Sequence, residues 1–117
     1  MSNSFKSKYD FDTRKTESDK IKLKYPNKYP VIIHKSKKCN LDNINKTKFL
    51  IPGDLTMGQV IYIIRKRIKL DDTETIFLFV NENVLPPTSS TISSIYDTNK
   101  DSDGFLYISY CNENVFG

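Results

Sequence analysis

Glycine is scarce and scattered, with four residues in a chain of 117, so no glycine-rich loop is present to cradle a phosphate. Histidine occurs once, as His34, in an apolar stretch with no thiol or carboxylate at ligand spacing, and it reads as a surface residue of a strand. The two cysteines, Cys39 and Cys111, have no metal-type spacing. With no apolar signal stretch near Met1 they read as free thiols of a reducing compartment. Cys111 and His34 would make a nucleophile and base only if folding joined them, and no third orienting group is evident. Long apolar runs are missing too: none approaches the roughly 20 residues of a membrane span, and Ser2 excludes N-myristoylation. Asn99, Asp101, Asp103 and Gly104 look like the start of a calcium loop. Counted from Asn99, however, the twelfth position is Tyr110 rather than a bidentate glutamate, so the segment reads as a turn. These absences argue against an enzyme, a metal site and an integral membrane protein.

The balance of 38% hydrophobic and 27% charged residues is that of one soluble domain with a modest core. Its net charge of +4 is uneven. Residues 1–48 carry 13 Lys and Arg against 5 Asp and Glu (+8), and residues 49–117 carry 5 against 9 (−4). A basic half can attract nucleic acid, an anionic membrane or acidic peptides, or be only a solvated face. Arg65-Lys66-Arg67 lacks the interleaved aromatics of a nucleic-acid surface, so nucleic acid is not expected.

In chain order, Ser4 to Tyr9 predicts a short helix anchored by Phe5 and Tyr9, one turn apart. Asp10 can cap a second helix from Phe11 to Lys24, polar enough to lie on a surface and be held at a few points. Tyr25-Pro26 ends it. Residues 30–34 predict a strand, followed by a polar loop to Lys46. Thr56 and Gln59 form a capping box for a helix whose core stripe is Met57, Val60, Ile61, Ile64 and Ile68. The near-continuous apolar run from Thr75 to Val80 predicts a central strand. A short helix through about Tyr96 and a last strand from Phe105 to Tyr110 complete an α+β pattern, with the N-terminal helices on the sheet face opposite the long helix.

Lys48-Phe49-Leu50-Ile51-Pro52 has a particular look. Aromatic and β-branched residues make it a strand, and Pro52, lacking a donor, suits an edge. Alternation sets Lys48 and Leu50 on one face and Phe49 and Ile51 on the other, both largely apolar, so both faces are expected to be covered. An open edge with apolar neighbours can also accept a strand from another protein. At the far end, Val115-Phe116-Gly117 closes the sequence with an unhindered glycine carboxylate.

Several stretches in order resemble the GABARAP-type autophagy modifiers, a family of ubiquitin-like proteins. They are Glu17 to Pro30 with Lys24-Tyr25-Pro26, Lys48 to Pro52, Asp54-Leu55-Thr56 with Gly58-Gln59, Ile64 to Ile68, Phe79-Val80-Asn81, Pro86-Pro87-Thr88, Asp103 to Tyr107, and Phe116-Gly117. The resemblance implies a ubiquitin-like β-grasp: a four-stranded mixed sheet with a crossover helix and two additional N-terminal helices. The corresponding division is a helical extension over 1–25, a core over 26–111 and a conjugation tail over 112–117.

By the same resemblance, the protein binds aromatic-x-x-aliphatic motifs of autophagy receptors by strand addition at 48–52. Glu17, Ile21, Pro30, Ile32, Lys48, Leu50 and Phe105 would form the aromatic pocket, and Phe49, Ile51, Pro52, Leu55, Val60 and Ile63 the aliphatic one. Lys28, Lys46 and Arg67 would form a basic rim for acidic flanking residues. Gly117 would be joined to phosphatidylethanolamine by activating and conjugating enzymes and released by a deconjugating one. A soluble cytoplasmic monomer would thereby reach autophagosomal or vesicle membranes with no other cofactor. The alternative is an unconjugated basic adaptor binding acidic partners or nucleic acid.

Overall fold

The computed structural model describes residues 4–37, 39–44 and 46–112. Eight elements run in the order α1 (Ser4–Lys8), α2 (Phe11–Lys24), β1 (Lys28–Lys35), β2 (Lys48–Pro52), α3 (Met57–Ile68), β3 (Phe77–Val80), α4 (Ile92–Asn99) and β4 (Leu106–Cys111). The strands form one mixed sheet in the order β2-β1-β4-β3. β1 pairs antiparallel with β2 and parallel with β4, and β3 pairs antiparallel with β4. This is the β-grasp, crossed on one face by α3.

Local chemistry explains the helix boundaries. The Asp10 carboxylate accepts from Thr13 N at 2.8 Å, which starts α2 and holds that carboxyl below its usual range. Thr56 and Gln59 make the reciprocal capping box of α3, and Lys69 in the left-handed conformation ends it. Met57, Val60, Ile64 and Ile68 are buried along one stripe of α3, and Ile61 packs at its margin. α2 is the opposite case. Only Ser18 and Ile21 are buried, while Phe11 and Leu23 face solvent.

Two apolar clusters lie on the two faces of the sheet. The larger joins Val31, Ile33, Phe49, Ile51, Val80, Leu106 and Ile108 to the buried sides of α3 and α4. The smaller consists of Ile21, Ile32, Phe105 and Tyr107, with Phe5 packed against it.

Two expectations are corrected. The run ending at Val80 is not central: β3 is an edge strand, and β1 and β4 are the inner pair. Leu78, Phe79 and Val80 are nonetheless buried, because α3 covers one side and Val80 closes a turn with Val84. Nor are both faces of β2 covered. Phe49 and Ile51 are buried, but Lys48 and Leu50 are exposed, Leu50 at 36%.

Candidate functional site

β2 is the second edge of the sheet. Thr47 O accepts from Ile33 N at 2.8 Å, and Gly53 N donates to Asn27 O at 3.2 Å. Carried through the register, residues 47, 49, 51 and 53 bond toward β1, so Lys48 and Leu50 turn their backbone groups to the open side. Pro52 falls where its nitrogen would face outward, so its missing donor costs no ladder bond. Its carbonyl is used locally by Leu55 N at 3.2 Å.

The predicted aromatic-pocket residues gather on one face of this edge. Ile32 pairs with Lys48 and Pro30 with Leu50 across the ladder. Above them α2 supplies Ile21 and Glu17, and the carboxylate of Glu17 is ion-paired with the Lys48 ammonium. Phe105, just before β4, completes the floor with no exposure. Beside this floor opens a cavity of about 520 Å³ walled by Glu17 and Lys48. Its remaining lining, Phe5, Lys8, Tyr9, Thr13, Arg14 and Thr47, was missed in the sequence. The available signal was the one-turn spacing of Phe5 and Tyr9, which marks apolar anchors without saying where they land.

On the other face, Phe49, Ile51 and Val60 belong to the larger cluster, with Val60 fully buried. Leu55 packs at its margin. Ile63 and Pro52 are half-buried. Of the basic rim, Lys46 and Arg67 come together: Lys46 Nζ lies 5.1 Å, and the Arg67 guanidinium carbon 5.2 Å, from the centre of the Phe49 ring, within cation–π reach. Lys28 is not with them. It pairs with Pro52 at the far end of β2 and approaches Tyr25 instead.

The smaller cluster is stitched to α2 by polar contacts. The fully buried Asp103 carboxylate accepts from Arg14 Nη1 at 2.6 Å, from the Tyr107 hydroxyl at 2.5 Å and from Phe105 N at 2.8 Å. Ser18 Oγ donates to the Asp103 carbonyl at 2.5 Å. Gly104 follows with φ of +90°, and a Cβ there would collide with Ser18; glycine is required on both counts. Burial, reinforced by the Asp103 carboxylate, raises the Tyr107 hydroxyl pKa far above its ordinary value. The segment that resembled a calcium loop is thus a turn whose central carboxylate serves a cation of the chain itself. Among the described residues no group of side chains is arranged to hold a metal.

Cys39 and Cys111 are both buried, and neither is in a disulfide. His34 is half-buried on β1, its Nδ1 3.3 Å from the Lys35 carbonyl oxygen. No described helix is long and apolar enough to cross a membrane. Phe116 and Gly117 lie outside the described residues.

Residues 13–117 match the family model described as autophagy protein Atg8, ubiquitin like. Autophagy-related protein 8e of Arabidopsis thaliana is 54% identical over 97% of this chain and 92% of its own. Autophagy-related protein 8 of Vanderwaltozyma polyspora is 51% identical over 100% of this chain and 98% of its own. In three dimensions the crystal structure of Trypanosoma brucei ATG8 superposes with a TM-score of 0.91 at 32% identity, each chain covered completely. A ubiquitin-like sheet carrying two N-terminal helices, matched along nearly its whole length, leaves one conclusion: the chain belongs to the Atg8 family of ubiquitin-like autophagy modifiers.

Proposed function

We propose that this modifier docks aromatic-x-x-aliphatic peptides of autophagy receptors by adding them as a strand to β2, and is held on membranes by a bond from Gly117 to phosphatidylethanolamine. The observation that carries the docking half is the open edge itself. Lys48 and Leu50 present backbone donors and acceptors outward, with an α2-side cavity on one face and, on the other, the half-buried Pro52, Leu55 and Ile63 over the Phe49–Ile51 core pair. Strand addition uses such groups for affinity and flanking side-chain pockets for specificity. Lys46 and Arg67 beside Phe49 would favour acidic residues next to the motif, a salt-sensitive contribution. Receptor peptides, conjugating enzymes and autophagosomal membranes are the partners this reading requires.

The conjugation half rests on chemistry. A glycine carboxylate is unobstructed, and its activated form can pass as a thioester to a conjugating enzyme's cysteine and then to the lipid amine. Two acyl chains anchor a protein stably where one does not. The test has two arms. In calorimetry, Leu50→Ala should weaken binding of a Trp-x-x-Leu peptide, a lost anchor contact costing about 1–3 kcal/mol; unchanged affinity refutes the docking site. With conjugation enzymes, ATP and liposomes containing the amine lipid, deletion of Gly117 should abolish the lipidated, membrane-pelleting form. Persistence of that form refutes the attachment point.

A further inference from the structure

We infer that Phe5 of α1 is a built-in occupant of the aromatic side of this site, so that a motif peptide engages it only in competition with α1. This rests on the strand-addition reading above and concerns its regulation. Three residues expected to meet an aromatic anchor, Ile21, Ile32 and Phe105, are 8%, 1% and 0% exposed. None of them lines the adjoining cavity, whereas Phe5 does. The Phe5 ring stands edge-on to Phe105 with centroids 5.1 Å apart, and its centre is 6.4 Å from that of Tyr107. An incoming aromatic side chain therefore meets Phe5 first and reaches Phe105 only by taking its place. The exchange is ring for ring: the edge-to-face contact that Phe5 gives up is of the kind the ligand restores. Because α1 docks within the chain and the peptide comes from solution, the outcome is set by how firmly α1 is held and by the peptide concentration.

The attachment of α1 suits that role. Five residues are too few to hold a helix alone, so its position depends on tertiary ties. Among the described residues these include the Phe5 contact, the Lys6–Asp101 ion pair at 2.6 Å, and Lys6 Nζ placed 4.8 Å from the Tyr107 ring centre. The ion pair is partly exposed and correspondingly weak. α2, by contrast, is fastened by the buried Arg14–Asp103 pair and the Ser18 bond. The segment at Tyr9–Asp10 joins the loosely held helix to the firmly held one. α1 can leave while α2 stays, and the apparent peptide affinity is then the intrinsic affinity multiplied by the fraction with α1 displaced.

The experiment compares the whole chain with its Phe5→Ala and Lys6→Ala variants in calorimetric titrations with an acidic-flanked Trp-x-x-Leu peptide. Phe5→Ala should bind more tightly by several-fold, on the order of fivefold if α1 is closed most of the time. Lys6→Ala, a change at an exposed residue that leaves Phe5 in place, should shift affinity the same way by less. Amide exchange of residues 5–9 should accelerate when the wild-type chain is saturated with peptide. If Phe5→Ala binds equally or more weakly, or α1 exchange slows, Phe5 is a wall of the site and the competition is refuted, while strand addition stands. If neither wild type nor variant binds, the strand-addition reading falls and the competition with it.

Discussion

The two faces of the sheet are sealed by different means. Under α3 and α4 the seal is apolar area drawn from all four strands, with Val31, Ile33, Val60 and Ile64 fully buried. Under α2 it is a thin apolar patch of Ile21, Ile32, Phe105 and Tyr107, closed by Phe5 and by directional bonds to Asp103. Apolar area is non-directional and cannot be surrendered piecemeal without leaving a cavity. Directional bonds and a single docked ring can be exchanged for those of another molecule. The first face therefore defines the fold, and the second is where the surface can change without unfolding.

The largest expected effect lies on the first face. Ile64→Ala should cost about 2–5 kcal/mol, read as a lowered denaturant midpoint common to every spectroscopic probe. A loss confined to α1 and α2 would break the contrast. Next comes Asp103→Ala, which strands the Arg14 cation, 11% exposed, and the Tyr107 hydroxyl. A cost of about 3 kcal/mol is expected, with amide exchange in α2 accelerated well beyond that in α3. Uniform acceleration would show that the two faces open together.

Thr56→Ala removes the capping box of α3 and should cost about 1 kcal/mol, visible in global unfolding because α3 belongs to the main core. Smallest is the α1 tie. Asp101 is partly buried, which alone would raise its pKa, but the bonds from Lys6 and from Asp103 N outweigh burial and lower it below 3.8. The carboxylate's contribution is therefore present at neutral pH and begins to fade only as pH falls below that value. Lys6→Ala should lose about 0.2–1 kcal/mol at neutral pH and nothing once Asp101 is protonated. Equal loss at both pH values would assign the effect to the Lys6–Tyr107 contact instead.

Where the sequence spoke through neighbours a few residues apart, the structure agrees. Asp10 and Thr56 cap α2 and α3, four of the five stripe residues of α3 are buried with Ile61 at the margin, and the alternation of Lys48 to Ile51 separates an exposed pair from a core pair. Pro52 read as an edge residue sits on an edge. What was not legible depends on partners far along the chain. The run ending at Val80 reports burial but not strand order, because an edge strand closed by a helix and a turn is as apolar as an inner one. For the same reason the landing of Phe5 on Phe105, 100 residues away in sequence, has no local signature. The resemblance sets Lys28 beside Lys46 and Arg67, but the antiparallel register places it at the other end of β2.

The parallel pairing of β1 with β4 also bears on how the chain folds. β4 is the last of the described strands, yet it lies between β1 and β3. A chain emerging from the ribosome can close the β1–β2 hairpin early and form α3 soon after. It cannot complete the sheet until residues 106–111 arrive, so β1 and β3 must wait with their facing edges unpaired. Long-range pairing of this kind slows folding, and open strand edges on a waiting intermediate invite pairing with other chains. Completion of the sheet therefore waits on the delivery of β4.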